Sequence, residues 1–77
     1  MENQIAYQFT RNTNEFVCFS FREFKQRKYI DLRIFFKSDG SKELQPTKKG
    51  LTLSLQFFPE LKKGIEHLEK KLVLENQ

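Results

Sequence analysis

One cysteine, one histidine and no glycine-rich stretch among 77 residues remove most catalytic chemistries at the outset. Cys18 alone can form no intramolecular disulfide and no cysteine-cluster metal site. It falls between Val17 and Phe19 in a strand-like run, so it reads as a small packed thiol in a reducing compartment; the sharper alternative is a reactive thiol. His67 lies on the polar side of a helical pattern and reads as solvated, not as a catalytic base. No Cys/His or Ser/His/Asp set converges in the strand layout, and no metal-ligand spacing or phosphate-cradling glycine loop is present. Glu66 and Glu69 share a helix with compensating lysines, which argues against a catalytic carboxylate pair. The expectation is therefore a non-enzyme without cofactor or metal. No run approaches the roughly 20 apolar residues that cross a bilayer. MENQIAYQFT lacks the continuous apolar stretch of a signal peptide. Both point to an intracellular protein with no membrane partner.

What is present is positive charge and phenylalanine. The formal charge is +4 with a sequence pI near 9.4, a mild excess whose position matters more than its total. Apolar residues make up 38 % of the chain and nine are Phe, so few side chains carry a large buried area. A chain this short makes one domain close to the stability limit, and a homodimer sharing its core is the natural remedy. Charge and rings coincide in FKQRKYIDLRIFF, Phe24 to Phe36. Its β-branched and aromatic content fits a pleated strand better than a helix. A strand exposing rings and cations can neutralise phosphates and stack unpaired bases.

Residues 1–14 read as a polar segment, with an edge strand suggested only by the alternation of Ile5, Tyr7 and Phe9. From Phe16 to Phe24, Val17, Phe19 and Phe21 share the face expected to be core; Cys18, Ser20, Arg22 and Phe24 share the other. Lys25 to Arg27 reads as a turn that lacks the Asn-Gly signature. Lys28 to Lys37 alternates cleanly, with Ile30, Leu32, Ile34 and Phe36 against Tyr29, Asp31, Arg33 and Phe35. Ser38–Ser41 is a turn. Lys42–Thr47 predicts a short third strand, Lys48-Lys49-Gly50 a turn and Leu51–Leu53 a fourth strand. Ser54 is a candidate N-cap. Beyond it Phe58, Leu61, Ile65, Leu68 and Leu72 recur every three or four residues, the stripe of a helix starting near Phe58 after a tighter turn. Gly64 weakens that helix unless a second helix or the sheet approaches closely. The whole predicts an α+β fold: a curved four-stranded antiparallel meander followed by one C-terminal helix.

FK at Phe24 and Lys25, YIDLR at Tyr29 to Arg33 and PTKKGLTL at Pro46 to Leu53 together resemble the C-terminal domain of the transcriptional coactivator positive cofactor 4. The resemblance runs from Phe16 through Ile65. It implies a homodimeric, sequence-independent single-stranded-DNA-binding domain over residues 15–75, acting in transcription, replication or repair. Carried over position by position, the implied ligand contacts are Arg22, Phe24, Lys25, Arg27, Arg33, Phe36, Lys49 and Ser54, with Lys48 a further candidate. Phe24 and Phe36 would stack on bases, Phe36 standing where the family often has Trp, and the cations would hold phosphates. Gln45 stands where a relative has lysine, and Pro59 replaces a proline that relatives place at the position of Leu55. The Ser- and Lys-rich arm of the eukaryotic coactivator is absent. This favours a bacterial or phage version in the cytoplasm, at the nucleoid or in an infected cell; a eukaryotic one would be nuclear. The transcription machinery is a further implied partner.

Plainer readings compete at each position. Phe24 and Phe36 could be core, Lys48 and Lys49 a solvated turn, and Arg33 half of a surface ion pair with Asp31. Because Phe36 and Arg33 differ in parity, both reach one ligand only if the strand bulges or ends between them. The rival functions are a dimeric protein-interaction module with a basic face, and an RNA-binding protein, since stacking platforms do not distinguish sugars.

Overall fold

A computed structural model describes residues 2–40 and 42–75. Four strands, β1 (Glu2–Thr10), β2 (Glu15–Phe24), β3 (Arg27–Phe36) and β4 (Gln45–Ser54), precede a single 3-10 turn, Leu55–Phe57, and one helix, α1 (Phe58–Glu75). They form one antiparallel sheet in the order β1-β2-β3-β4, the expected meander. Two expectations about its strands are overturned. The N-terminal segment is a nine-residue strand rather than mostly loop. The predicted Lys48–Gly50 turn is strand, joining Gln45–Thr47 and Leu51–Leu53 into one continuous strand, β4, while Lys42–Leu44 of the expected third strand are not strand. Ser41 of the expected Ser38–Ser41 turn lies outside the described residues.

Local chemistry explains each junction. Between β1 and β2 the Asn12 Oδ1 accepts bonds from the amides of Asn14 (3.0 Å) and Glu15 (2.9 Å), an Asx turn that reverses the chain. Between β2 and β3 the loop is only Lys25 and Gln26, with φ of 50° and 66°. Positive φ at both central residues is the type I′ geometry, which matches the twist of the flanking strands and is here adopted without glycine. Pro59 sits in the first turn of α1, where its missing N–H costs nothing. Ser54 has the extended backbone of an N-cap but makes no side-chain capping bond.

The β2–β3 register is unbroken from Glu15 opposite Phe36 to Phe24 opposite Arg27. One sheet face thus carries Val17, Phe19, Phe21, Ile30, Leu32 and Ile34, joined by Tyr7 and Phe9 of β1. Tyr7, Phe9 and Phe19 cluster with ring centroids 5.8–6.5 Å apart. This apolar face is not the sealed core that the alternation predicts. Val17, Phe19 and Phe21 are half-buried, and the buried apolar residues among those described are Cys18 and Phe35, both on the opposite face. The start of α1 covers only part of the apolar face, leaving a gap of about 390 Å³ bounded by Phe19, Phe21, Ile30 and Leu32 on one side and Phe58, Leu61 and Ile65 on the other. Ile65, Leu68 and Leu72 are 52–62 % exposed. A side chain added at Gly64 would meet nothing within 4 Å. The stripe that makes α1 amphipathic therefore meets solvent along most of its length.

Candidate nucleic-acid interface

The second face is a ladder of cross-strand rows. From the β2–β3 turn inward these are Phe24 with Arg27; Arg22, Tyr29 and Ser54; Ser20, Asp31 and Thr52; Cys18, Arg33 and Gly50; and Phe16, Phe35 and Pro46. The first rows gather the expected contacts. Arg22, Phe24, Tyr29 and Thr52 line an open recess of about 380 Å³. Phe24 is 48 % exposed. Lys25 Nζ lies 5.3 Å from its ring centroid, a cation–π contact that keeps charge beside an available ring face. Arg27 is exposed and Arg22 half-buried. Phe24 is thus not core. Tyr29, outside the expected set, also lines the recess, and its shared parity with Arg27 was the signal for it.

Arg33 sits deeper and is heavily bonded. Its Nε and Nη2 donate to the two oxygens of Asp31 at 3.1 and 3.0 Å, a bidentate pair. Nη2 also donates to Thr52 Oγ1 (3.2 Å), and Nη1 to the Thr47 carbonyl (2.9 Å). Thr52 Oγ1 donates to Asp31 Oδ1. Asp31 is 1 % exposed, so this is no surface ion pair. Burial pushes the Asp31 carboxyl up, but the hydrogen bonds from Arg33 and Thr52 and the charges of Arg33 and Arg22 outweigh it and hold it below 3.8. The bond to Asp31 in turn raises Arg33. Burial raises the Cys18 thiol, as for an inert packed cysteine.

Lys48 and Lys49 are exposed, but not on a turn. Arg33 pairs with Gly50 and Phe35 with Pro46, so Thr47, Lys48 and Lys49 together face Ile34 alone, a bulge with two extra residues in β4. The irregularity that would separate Arg33 from Phe36 thus lies in the partner strand and leaves the parity of β3 intact. Gly50 does not serve a turn either. A Cβ there would lie 2.4 Å from the Leu32 carbonyl oxygen and 2.7 Å from Arg33 Cα, so only glycine admits this approach of β4 to β3.

Phe36 is 39 % exposed but stands apart from Phe24. It lies nine residues beyond Arg27 on β3, roughly 30 Å at about 3.3 Å per residue, and on the other parity. One protomer therefore brings Arg22, Phe24, Lys25, Arg27 and Ser54 together at one end and places Phe36, Lys48 and Lys49 toward the other.

No helix among the described residues is long and apolar enough to cross a membrane. Comparison with known proteins identifies the sheet. No curated protein matches the chain. A PC4 homologue from Burkholderia pseudomallei, in its orthorhombic crystal form, superposes with a TM-score of 0.79 at 15 % identity, covering 88 % of this chain and 90 % of that one. The tetragonal form gives 0.78 at 16 %, covering 88 % and 98 %. The bacteriophage T5 homologue of the eukaryotic transcription coactivator PC4, implicated in recombination-dependent DNA replication, gives 0.60 at 19 %, covering 97 % and 78 %. The family model for Transcriptional Coactivator p15 (PC4) matches residues 12–64, well over half of the sequence, and the chain belongs to that DNA-binding coactivator family.

Proposed function

We propose that this protein binds single-stranded DNA without sequence preference, as a homodimer, holding unpaired strands rather than carrying out chemistry. The observation that carries the reading is the half-exposed Phe24 ring flanked by Lys25, Arg22, Arg27 and Tyr29 at an open recess. A duplex hides its base faces, so an accessible ring among cations favours unstacked bases over paired ones. Phe36, Lys48 and Lys49 would add a ring and two cations toward the other end of the sheet, and Ser54 borders the first group. A strand contacting both ends would have to span the sheet or pass between two protomers. Dimerisation is supported by the exposed stripe of α1, the partly covered apolar face and the few buried apolar side chains. The protein would act on exposed strands in an intracellular DNA-associated compartment during transcription, replication or repair.

The test is a titration of labelled oligo-dT, the matching oligo-U and a blunt hairpin duplex at 50 and 200 mM salt. Five cations (Arg22, Lys25, Arg27, Lys48 and Lys49) at a slope of about −0.7 each predict oligo-dT affinity falling on the order of 100-fold across that range. Equal, weak binding to single strand and duplex would instead support the interaction-module reading. Tighter binding of oligo-U would move the ligand to RNA.

A further inference from the structure

The β4 bulge is held by Arg33 from the neighbouring strand, by Thr47 within it and by Gly50 at its end. Arg33, anchored bidentately on buried Asp31, reaches across to donate to the Thr47 carbonyl at 2.9 Å. Thr47 Oγ1 donates to the Ile34 carbonyl at 2.6 Å and accepts the Lys49 amide at 3.2 Å. Gly50 closes the far end by packing against the backbone of Leu32 and Arg33. Three residues opposite one would otherwise have several backbone paths. These bonds select one, and in it Lys48 and Lys49 stand exposed on the sheet edge.

We infer that Arg33 and Thr47 are positioning residues for the Lys48–Lys49 pair, and that Arg33 acts on a bound strand through these lysines rather than by gripping phosphate itself. The inference rests on the single-strand reading above. Its physical basis is the commitment of the guanidinium: four hydrogen bonds tie it to Asp31, Thr52 and Thr47. Turning it toward a phosphate would leave the Asp31 carboxylate, 1 % exposed, without its bidentate partner. Thr47 carries no charge, so any effect of its hydroxyl on affinity must pass through the shape of the bulge.

The experiment is a pair of double-mutant cycles on the full chain, read as oligo-dT affinity and its salt slope. The variants are Thr47→Val, nearly isosteric and uncharged, and Arg33→Gln, each made alone and with Lys48→Ala/Lys49→Ala. Two phosphate contacts at about 0.7 of slope each are worth up to about 25-fold at 0.1 M salt relative to 1 M. Removing both lysines should therefore flatten the slope by about 1.4. Thr47→Val should reproduce part of that loss of affinity and slope with every charge retained, and neither Thr47→Val nor Arg33→Gln should cost more than about twofold in the lysine-free background. Additive losses, or an Arg33→Gln loss that persists without the lysines, would overturn the inference and leave single-strand binding standing. If Arg33→Gln fails to fold, the Thr47→Val cycle decides alone. A wild-type protein that does not bind oligo-dT at 50 mM salt would overturn both.

Discussion

Phe24→Ala is the sharpest test of the interface. The ring is 48 % exposed and contacts Lys25 at the turn, so truncation removes about half of a buried Phe contribution and one exposed cation–π contact. Taking 1.5–3 kcal/mol for a fully buried side chain and 0.5–1 for the contact, stability should fall by about 1–2 kcal/mol. At roughly 4–8 °C per kcal/mol for a domain of this size, melting drops by on the order of 10 °C and the protein stays folded at 20 °C. Losing one stacked base costs about 1–3 kcal/mol, so oligo-dT binding should weaken by roughly 5- to 150-fold. Stacking is uncharged, so the log–log salt plot should shift down without changing slope. Fluorescence anisotropy at several salt concentrations, with circular dichroism melting alongside, measures all three. A folded variant that binds within twofold of wild type would refute the stacking role. A changed slope would show that the ring acts by holding Lys25.

Three further outcomes follow from the same geometry. Gly50→Ala drives a methyl into the Leu32 carbonyl, where no flexible side chain can yield, and should cost at least about 2 kcal/mol by thermal melting. Asp31 has a folded-state pKa below its ordinary 3.8, so the unfolded chain takes up this proton first as pH falls. The stability it contributes is present above about pH 4 and is lost below, through the folded-state value; Asp31→Asn should flatten that acid limb in denaturant titrations at several pH values. On the proposed dimer, Leu68→Glu with Leu72→Glu places charge on the exposed stripe of α1 and should halve the mass measured by light scattering. An unchanged mass would remove α1 from the dimer seam.

The amount legible in the sequence varied by element. β2, β3 and α1 follow from alternation and three-four spacing, and the start of α1 after a tighter turn from Phe58 and Pro59. β1 was only half legible because its alternation is carried by Ile5, Tyr7 and Phe9 alone in a segment rich in Asn and Thr, and a register shift sets Ile5 opposite Ser20 but Tyr7 opposite Phe19. β4 read as two strands because Lys48-Lys49-Gly50 carries turn chemistry; a bulge and a turn use the same residues, and only pairing with β3 distinguishes them. The inverted burial was not legible at all. Alternation assigns faces, but which face is sealed depends on what covers it, and α1 covers only part of the apolar one. At the site, residue types drew attention to Phe24 and its cations, and the register places Phe24, Arg22, Arg27 and Ser54 at one end of the sheet. The separation of Phe36 from it followed from register, and the internal bonding of Arg33 required coordinates.

On the proposed dimer, the solvent-facing stripe of α1 ties this protein's fold to its dosage. A chain that completes its core by pairing gains stability from mass action, with each tenfold dilution weakening the assembly by about 1.4 kcal/mol. Its melting temperature should climb with protein concentration, and scarce copies should be the first degraded. Abundance would then set how much strand-holding capacity exists and also whether each molecule survives to supply it.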